Sequence, residues 1–283
     1  MNAGVPIRDR AAPPWRVIRP SGRWSRLDLG ELWRYRGLAW TLALRDLKLR
    51  YRQALFGVAW AVIQPALAML LFSILLGDLA GVPSDGLPYP VFVIAGLAPW
   101  FFISGAVSSC AESLVEHREL VTKVWFPRLL APIAAVTAGT VDLLIGFALA
   151  IGVTLAWGVA IPLQVLTLPV WLAAAAMVAL GAGLWVAAAN VLYRDLRYAL
   201  GFLLQLWLFA SPVVFPSSLI DGGWSYVFAL NPVAGVIDGT RWALLDGPAP
   251  GPELTVSAAS LLLLLAAGLL YFRSAERLFA DRI

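Results

Sequence analysis

The sequence predicts an all-α integral membrane protein. We expect six transmembrane helices, an amphipathic interfacial helix before the first, and a re-entrant periplasmic hairpin between the fifth and sixth. Hydrophobic residues make up 60% of the 283 residues, charged residues only 13%, and the mean hydropathy is +0.80. A soluble domain is about 45–50% apolar and roughly 25% charged. The chain therefore lacks the polar surface of a water-soluble fold, and its length accommodates about six spans.

The cations lie almost entirely on one side of the predicted spans. Of the 21 Lys and Arg residues, twelve precede the first span, three lie between the second and third, two between the fourth and fifth, and three follow the sixth. Only Arg241 falls on the opposite side. Because cytoplasmic loops carry the excess of Lys and Arg, we expect both termini to be cytoplasmic. This distribution argues against nucleic-acid binding as the reason for the net charge of +4.

A basic segment leads into the first apolar stretch. The basic segment contains four cations within eight residues: Arg45, Lys48, Arg50 and Arg52. After Arg52, the next charged residue is Asp78. After a cytoplasmic tail of residues 1–30, residues 31–54 predict an amphipathic helix lying in the membrane interface, although its two faces are imperfectly separated. One face carries Leu32, Trp33, Trp40, Ala43, Leu44, Leu47 and Tyr51, with Arg36 and Arg50 intruding; the other carries Arg45, Lys48 and Arg52, with Leu38, Leu42 and Leu49 intruding.

The transmembrane domain is predicted at residues 55–272, and Pro65 is expected to kink its first helix. Residues 216–253 are too apolar for a free loop and are divided by Asn231 and Pro232. We expect a re-entrant hairpin at about 216–246, and a cytoplasmic tail at residues 273–283. The predicted spans are residues 56–76, 89–109, 130–157, 169–192, 199–215 and 254–272.

No catalytic motif is present in the sequence. Neither lysine, Lys48 or Lys123, follows a glycine, so there is no Walker A nucleotide site. The G-x-S-x-G nucleophile motif is also absent. His117 has no histidine or cysteine companion for a metal and is expected to be a solvated residue, and the single Cys110 excludes an intrachain disulfide framework. We expect a non-enzymatic chain with no metal site and no cofactor of its own.

Asp142 is an isolated carboxylate about twelve residues inside the third span. A charge at that depth is costly and usually faces the bundle interior or water. No basic residue is expected at matching depth, so Thr137, Thr140 or a backbone group would hydrogen-bond it. A proton relay is the alternative.

Two further features have both a structural and a functional interpretation. Residues 111–128 are amphipathic and charged, and form either a helix that presses on a cytosolic partner or a solvated turn. The many aromatic residues either line a conduit for a sliding glycan or anchor and pack the helices. Small residues in the fourth span, Ala175, Ala179 and Gly183, permit close helix contact within or between chains.

Four ordered segments resemble the ABC-2 family of transporter permeases, and most closely its polysaccharide-export members for O-antigen and teichoic acid. These segments are RDLKLRYRQALFGVAWAVIQP at 45–65, ELVTKVWFPRLLAP at 119–132, YRDLRYALGFLLQLWLFASPVVFPSSL at 193–219 and ALNPVAGVIDGTRWALL at 229–245. The resemblance implies a multi-pass protein of the bacterial inner membrane, working as a homodimer with two copies of a separate ATPase subunit that binds ATP and Mg²⁺. It implies export of an undecaprenyl-pyrophosphate-linked polysaccharide.

Carried onto this chain, the resemblance assigns roles to three sets of residues. A gate helix would meet the lipid headgroup through Arg45, Lys48, Arg50 and Arg52. A coupling helix at about 112–126 would contact the ATPase through Glu112, Glu116, His117, Arg118, Glu119 and Lys123. A conduit would be lined by Trp60, Phe72, Trp100, Phe101, Phe102, Trp207, Trp224 and Tyr226.

Competing functions remain open from sequence. One is an ABC-2 exporter of teichoic acid, a drug or a small lipid. Another is a membrane enzyme acting on polyprenyl phosphates, for which Glu112, Glu116 and Glu119 would be a sparse carboxylate set. A third is a passive scaffold.

Overall fold

The computed structural model describes residues 29–52, 57–117, 119, 126–193, 195–220 and 222–282, in which helices are joined by turns and irregular segments, with no strand among them. Most of the predicted N-terminal tail, residues 1–28, lies outside this set. The helices are α1 (Leu29–Arg34), α2 (Arg36–Arg52), α3 (Trp60–Phe72), α4 (Tyr89–Glu116), α5 (Leu130–Ala156), α6 (Leu168–Leu192), α7 (Leu196–Phe209), α8 (Gly223–Ala229), α9 (Pro232–Leu245) and α10 (Glu253–Arg282). Short 3₁₀ turns at Gly57–Ala59 and Leu163–Thr167 precede α3 and α6, another occupies Ser217–Leu219, and a π-helix at Ser73–Leu79 follows α3.

Five stretches are long and apolar enough to cross a membrane. They are Gly57–Leu79, Tyr89–Glu116, Leu130–Ala156, Leu163–Leu192 and Glu253–Glu276. The predicted fifth span corresponds to α7, which is apolar but has only 14 residues. Six spans, their orientation, the cytoplasmic termini and the Pro65 kink therefore stay predictions.

Helix α4 is the centre of the fold and packs against α5 and α6. Its residues from Val91 to Trp100 are all buried. The close approach of α6 to α4 depends on small residues. A Cβ added to Gly183 of α6 would lie 2.7 Å from the Cβ of Cys110 on α4. Ala175 and Ala179 are also fully buried. The small residues of the fourth predicted span thus make contacts within the chain.

The last helix is longer than the sequence pattern predicts. The apolar stretch ends near residue 272, but α10 continues to Arg282, through most of the predicted tail. Phe272 and Phe279 are fully buried, with ring centroids 5.2 Å apart. They join a buried cluster with Leu114 and Leu130, which lie where α4 ends and α5 begins. Burial of this apolar stripe explains why the helix does not stop at the end of the hydrophobic run.

The fifth predicted span is interrupted. Helix α7 ends at Phe209, and residues 210–216 continue as non-helical chain that includes Pro212 and Pro216. Beyond it, α8 and α9 are two short helices separated at Leu230 and Asn231, as the Asn-Pro pair predicts. Whether they enter the membrane stays a prediction.

Candidate functional site

Helix α2 packs against α5, and its Arg50 reaches Ser109 of α4. Leu42 and Ala43 of α2 are buried in one cluster with Ala134 and Ala138 of α5. The α5 residues are four apart, so they lie on one face of that helix. The helical wheel places Leu42 on the side of Arg45, Lys48 and Arg52, but Leu42 is buried against α5, so that side of α2 is not wholly exposed.

The outward surface of α2 differs from the predicted single apolar face. Trp33 and Trp40 are 69% and 60% exposed. Lys48 and Arg52 are also exposed, and no described residue forms an ion pair with either. The four cations of the basic segment therefore divide into two that face outward and two, Arg45 and Arg50, that contact neighbouring helices.

Arg45 contacts the last residues of α4 through His117. Its Nη2 lies 3.0 Å from Nε2 of His117, and Nδ1 of His117 lies 2.7 Å from the carbonyl oxygen of Ser113. A carbonyl oxygen only accepts, so Nδ1 carries the proton and Nε2 accepts from the guanidinium. Asp46 on α2 lies 3.6 Å from Nε2 and 3.4 Å from Nε of Arg45. His117 is 2% exposed, and the expectation of a solvated histidine is wrong.

Further along α2, Arg50 forms an ion pair with Asp142 of α5. Its Nη2 donates to the hydroxyl of Ser109 on α4 at 2.9 Å, and the hydroxyl of Tyr51 donates to Asp142. The four residues Arg50, Tyr51, Ser109 and Asp142 are called the Arg50 cluster below. Burial, and next its hydrogen bond to Asp142, raise the pKa of Tyr51, so its hydroxyl keeps its proton at neutral pH.

The expectation that Asp142 has no basic partner is wrong. Thr137 and Thr140 donate to the backbone carbonyls of Ile133 and Thr137 instead. Arg50 and Asp142 are 92 residues apart in sequence, but a signal was available. Arg50 lies on the apolar side of the α2 wheel, where an unpaired charge is costly, and Asp142 is an isolated charge of opposite sign.

A cavity of about 340 Å³ lies beside the Arg50 cluster, between α2, α3, α4 and α5. Its polar lining includes Arg50, Tyr51, Gln64 and Asp142. Its aromatic lining includes Trp60, Phe101 and Phe102. The cavity combines a guanidinium, hydrogen-bonding groups and ring faces, which suit an anionic group joined to a sugar.

At the other end of α4, Arg241 of α9 is buried against backbone. Its Nη2 donates to the carbonyl of Val213 at 2.7 Å, and its Nη1 and Nε lie 3.4 Å from the carbonyls of Phe215 and Phe92. The guanidinium carbon lies 3.6 Å from the centre of the Phe92 ring, a cation–π contact. A Cβ on Gly96 would lie 2.7 Å from the Val213 carbonyl oxygen, so only glycine permits this approach. We call Arg241, Phe92, Val213 and Phe215 the Arg241 cluster.

Asn231 forms hydrogen bonds with further polar groups of the non-helical segment at residues 210–216. Its side-chain nitrogen donates to the carbonyl of Ala210 at 3.0 Å and to the Ser211 hydroxyl at 2.8 Å. Its side-chain oxygen accepts from Nε1 of Trp207 at 3.0 Å and from the backbone N–H of Val233 at 3.1 Å, which caps α9. Non-helical backbone within an apolar bundle requires such internal partners.

The eight predicted conduit aromatics occupy different environments. Trp100 and Phe102 are buried, at 3% and 2% exposed. Trp60 and Phe101 meet at the cavity of the Arg50 cluster. Trp207 and Trp224 line a separate groove of about 680 Å³ beside α8. Phe72 is half-buried and Tyr226 is exposed, and one protomer does not bring all eight into one surface.

The predicted coupling residues begin inside α4. Glu112 and Glu116 lie in its last turns, although the second span was expected to end at residue 109. Glu112 pairs with Arg197 of α7 at 3.5 Å. Glu116 and Glu119 are exposed, whereas Arg118 and Lys123 lie outside the described residues. Among the described residues, no group of three acidic, histidine or cysteine side chains is arranged to hold a metal ion.

Comparison with known proteins gives consistent matches. The sequence model of the ABC-2 type transporter family matches residues 37–245. The O-antigen export system permease protein RfbA of Myxococcus xanthus is 32% identical over 258 residues, which are 89% of this chain and 98% of that protein. The RfbA protein of Klebsiella pneumoniae is 23% identical, covering 84% and 91%. The polysialic acid transport protein KpsM of Escherichia coli is 26% identical, covering 83% and 92%.

Proposed function

This chain belongs to the ABC-2 type transporter family, and we propose that it is the permease subunit of a polysaccharide exporter. Its cargo is a polysaccharide linked to undecaprenyl pyrophosphate, resembling an O-antigen. The chain carries it across the bacterial inner membrane. The relatives named for O-antigen export and polysialic acid transport support this cargo class.

The observation that carries the proposal is the position of the basic helix α2. Arg50 faces a cavity that is also lined by Trp60 and Phe101, while Lys48 and Arg52 face outward. Arginine forks suit phosphate oxygens, and aromatic rings provide flat apolar surfaces for sugars. A lipid diphosphate joined to a glycan presents both chemistries at one point.

The energy comes from a separate ATPase subunit, because the sequence contains no Walker A motif. Two copies of that subunit bind a homodimer of this chain. The exposed apolar sides of α3, of the π-helix that follows it and of α7 support a second copy in the membrane as well as lipid contact; they include Leu67, Leu70, Leu71, Ile74, Phe202, Leu206 and Phe209. A conduit between two copies would offer a polymer more space than one bundle.

Coupling runs from the ATPase to α2 through the end of α4. Residues 112–126 contact the ATPase, and His117 within this stretch contacts Arg45 and Asp46 of α2. A displacement of the coupling segment therefore moves α2 directly. The middle of α2 is held to α5 by apolar contacts of Leu42 and Ala43, so movement is expected at the Arg50 cluster, near the C-terminal end of α2.

The test uses bacteria that lack this chain but express the rest of the export system. We expect lipid-linked polysaccharide to accumulate inside such cells, and expression of the full chain with its ATPase to restore delivery to the periplasm. Immunoblotting of spheroplasts before and after permeabilisation measures the distribution. Normal delivery without the chain would refute the export role, and accumulation of a different lipid or small molecule would indicate the other ABC-2 exporter classes.

A further inference from the structure

We propose that helix α3 provides a subsite for the first sugar of the polysaccharide, and that Gln64 is the residue of this subsite that determines its specificity. The first sugar is the one joined directly to the diphosphate. This inference rests on the proposed function, because it concerns the neighbouring part of the same ligand.

Gln64 is a polar residue well inside an apolar helix. It lies about 10 Å along the helix axis from the start of the apolar stretch Gly57–Leu79. In the same stretch, the hydroxyl of Ser73 donates to the carbonyl of Met69 and is satisfied within its own helix. No described residue forms a hydrogen bond with the Gln64 amide. Because an amide without partners is costly in an apolar environment, we infer that a ligand supplies its hydrogen bonds.

The Gln64 amide faces the same space as an aromatic ring. Gln64 and Trp60 both line the cavity of about 340 Å³ beside the Arg50 cluster. They are four residues apart, which places them on one face of α3. A sugar has apolar ring faces and a rim of hydroxyl groups. The indole suits the ring face, and the amide, which both donates and accepts, suits the hydroxyl groups.

Pro65 adds a backbone acceptor to this face of α3. A proline within a helix lacks the N–H that would donate to the carbonyl four residues earlier, which here belongs to Ala61. Ala61 and Pro65 both line the cavity. The Ala61 carbonyl therefore lacks its usual helical donor and is available to accept from a sugar hydroxyl.

The size of the cavity suits one sugar. Its volume of about 340 Å³ is near the lower end of the range of about 300–1,000 Å³ for small-molecule sites. On the α4 side, a Cβ added to Gly105 would meet no atom of another helix within 4 Å, so the cavity is open there. Arg50 also lines the cavity, and a phosphate bound to it would hold the attached sugar beside α3.

The experiment measures the contribution of the sugar to binding by the full-length chain in nanodiscs of neutral lipid. The probes are undecaprenyl pyrophosphate and the same lipid carrying one N-acetylglucosamine or one galactose. We expect a glycosylated lipid to bind the wild-type chain more tightly than the bare lipid, and this gain in affinity is called the sugar gain. Gln64→Leu should reduce the sugar gain by about fivefold, as expected for the loss of one neutral hydrogen bond, and leave binding of the bare lipid unchanged.

Two companion variants locate the effect. Gln205→Leu is the matched control, because Gln205 is an exposed glutamine of the apolar helix α7 and is not among the residues that line this cavity. It should keep the full sugar gain. Gly105→Leu places a side chain in the open part of the cavity and should reduce the sugar gain.

Three results would overturn the proposal. The first is a full sugar gain in folded Gln64→Leu or Gly105→Leu protein, and the second is no sugar gain with either sugar in the wild-type chain. The third is a shift of Gln64→Leu from dimer to monomer in size-exclusion chromatography with the sugar gain intact, which would assign Gln64 to a contact between two copies.

The export assay separates this inference from the proposed function. A chain that does not restore polysaccharide export but loses the sugar gain in Gln64→Leu would refute only the proposed function. Restored export with the full sugar gain in Gln64→Leu would refute only this inference.

Discussion

The Arg50 cluster and the Arg241 cluster hold the same side chain in opposite ways. Arg50 is one-third exposed and meets a carboxylate and a hydroxyl on two neighbouring helices. Arg241 is 5% exposed and meets three backbone carbonyls and the face of Phe92. A carboxylate side chain is free to rotate away, whereas carbonyls are fixed by the chain that carries them. The comparison indicates an exchangeable contact in the first cluster and a permanent one in the second.

This difference also explains where irregular structure is tolerated. The interruption at residues 210–216 leaves carbonyls without a helical partner, and Arg241 supplies donors to two of them, those of Val213 and Phe215. At the Arg50 cluster, Ser109 and Asp142 lie within the continuous helices α4 and α5, and the contacts of the cluster are between side chains. We expect substitutions in the Arg241 cluster to affect folding and those in the Arg50 cluster to affect recognition.

The largest expected effect is that of Arg241→Leu. It leaves the carbonyls of Val213 and Phe215 buried without their donor, and we expect a loss of at least about 3 kcal/mol in the free energy of unfolding. Thermal unfolding of purified protein, followed by size-exclusion chromatography, measures this. Arg197→Leu is the matched control because Arg197 is 65% exposed in its side chain. Equal stability of the two variants would contradict the comparison.

The next effect is expected for Asn231→Ala. This change removes donors to Ala210 and Ser211 and the cap of α9, and should cost about 1–3 kcal/mol. Ser225→Ala, which removes a hydroxyl from the neighbouring helix α8, should cost much less. Limited proteolysis of the 210–231 region is the measurement. Cleavage no faster than in wild type would mean that Asn231 does not hold the interruption together.

Smaller effects are expected in the Arg50 cluster. Asp142→Asn and Arg50→Gln should each change the free energy of unfolding by about 1 kcal/mol or less, because the pair is partly solvated. The same thermal unfolding assay applies, with Arg241→Leu as the contrast. A large loss of stability in both variants would identify the pair as structural and remove the distinction from Arg241.

The smallest effect concerns salt. The coupling energy between Arg50 and Asp142, measured by a double-mutant cycle, should decrease between about 0.05 M and 1 M NaCl because the Debye length falls to about 3 Å. The destabilisation by Arg241→Leu should change less, because Arg241 is only 5% exposed and its carbonyl partners are dipoles, although Asp238 and Asp85 also act on its charge. A salt-independent Arg50 coupling would mean that water does not reach the pair.

Much of this architecture was accessible from local sequence features. Hydropathy located α3, α5, α6 and the start of α4 closely, although α4 continues seven residues beyond the predicted span, and Asn231-Pro232 marked the division between α8 and α9. The early end of α7 was missed because residues 210–216 are as apolar as a span, and its break depends on donors that come from Arg241 and Asn231. The extent of α10 was missed because Phe279 is buried by helices distant in sequence.

The candidate site was predictable only in part. The basic segment was recognised, but its division between outward and inward cations depends on the rotation of α2 about its axis. That rotation is determined by packing of Leu42 and Ala43 against α5, which an imperfect amphipathic pattern does not reveal. The burial of His117 follows from the same packing, because it places Arg45 and Asp46 over the end of α4.

The contacts of α2 with its neighbours also follow a regular spacing that includes charged residues. These contacts recur every four residues, at Ala134, Ala138 and Asp142 on α5 and at Asp46 and Arg50 on α2. If α2 slipped by one turn, about 6 Å, Asp46 would face Asp142 in one direction, and Asp142 would lose Arg50 in the other. Repulsion or an unpaired carboxylate would oppose either slip. The order of acids and bases therefore fixes the register of α2 along α5, which the small, similar alanines Ala134 and Ala138 alone would define less sharply.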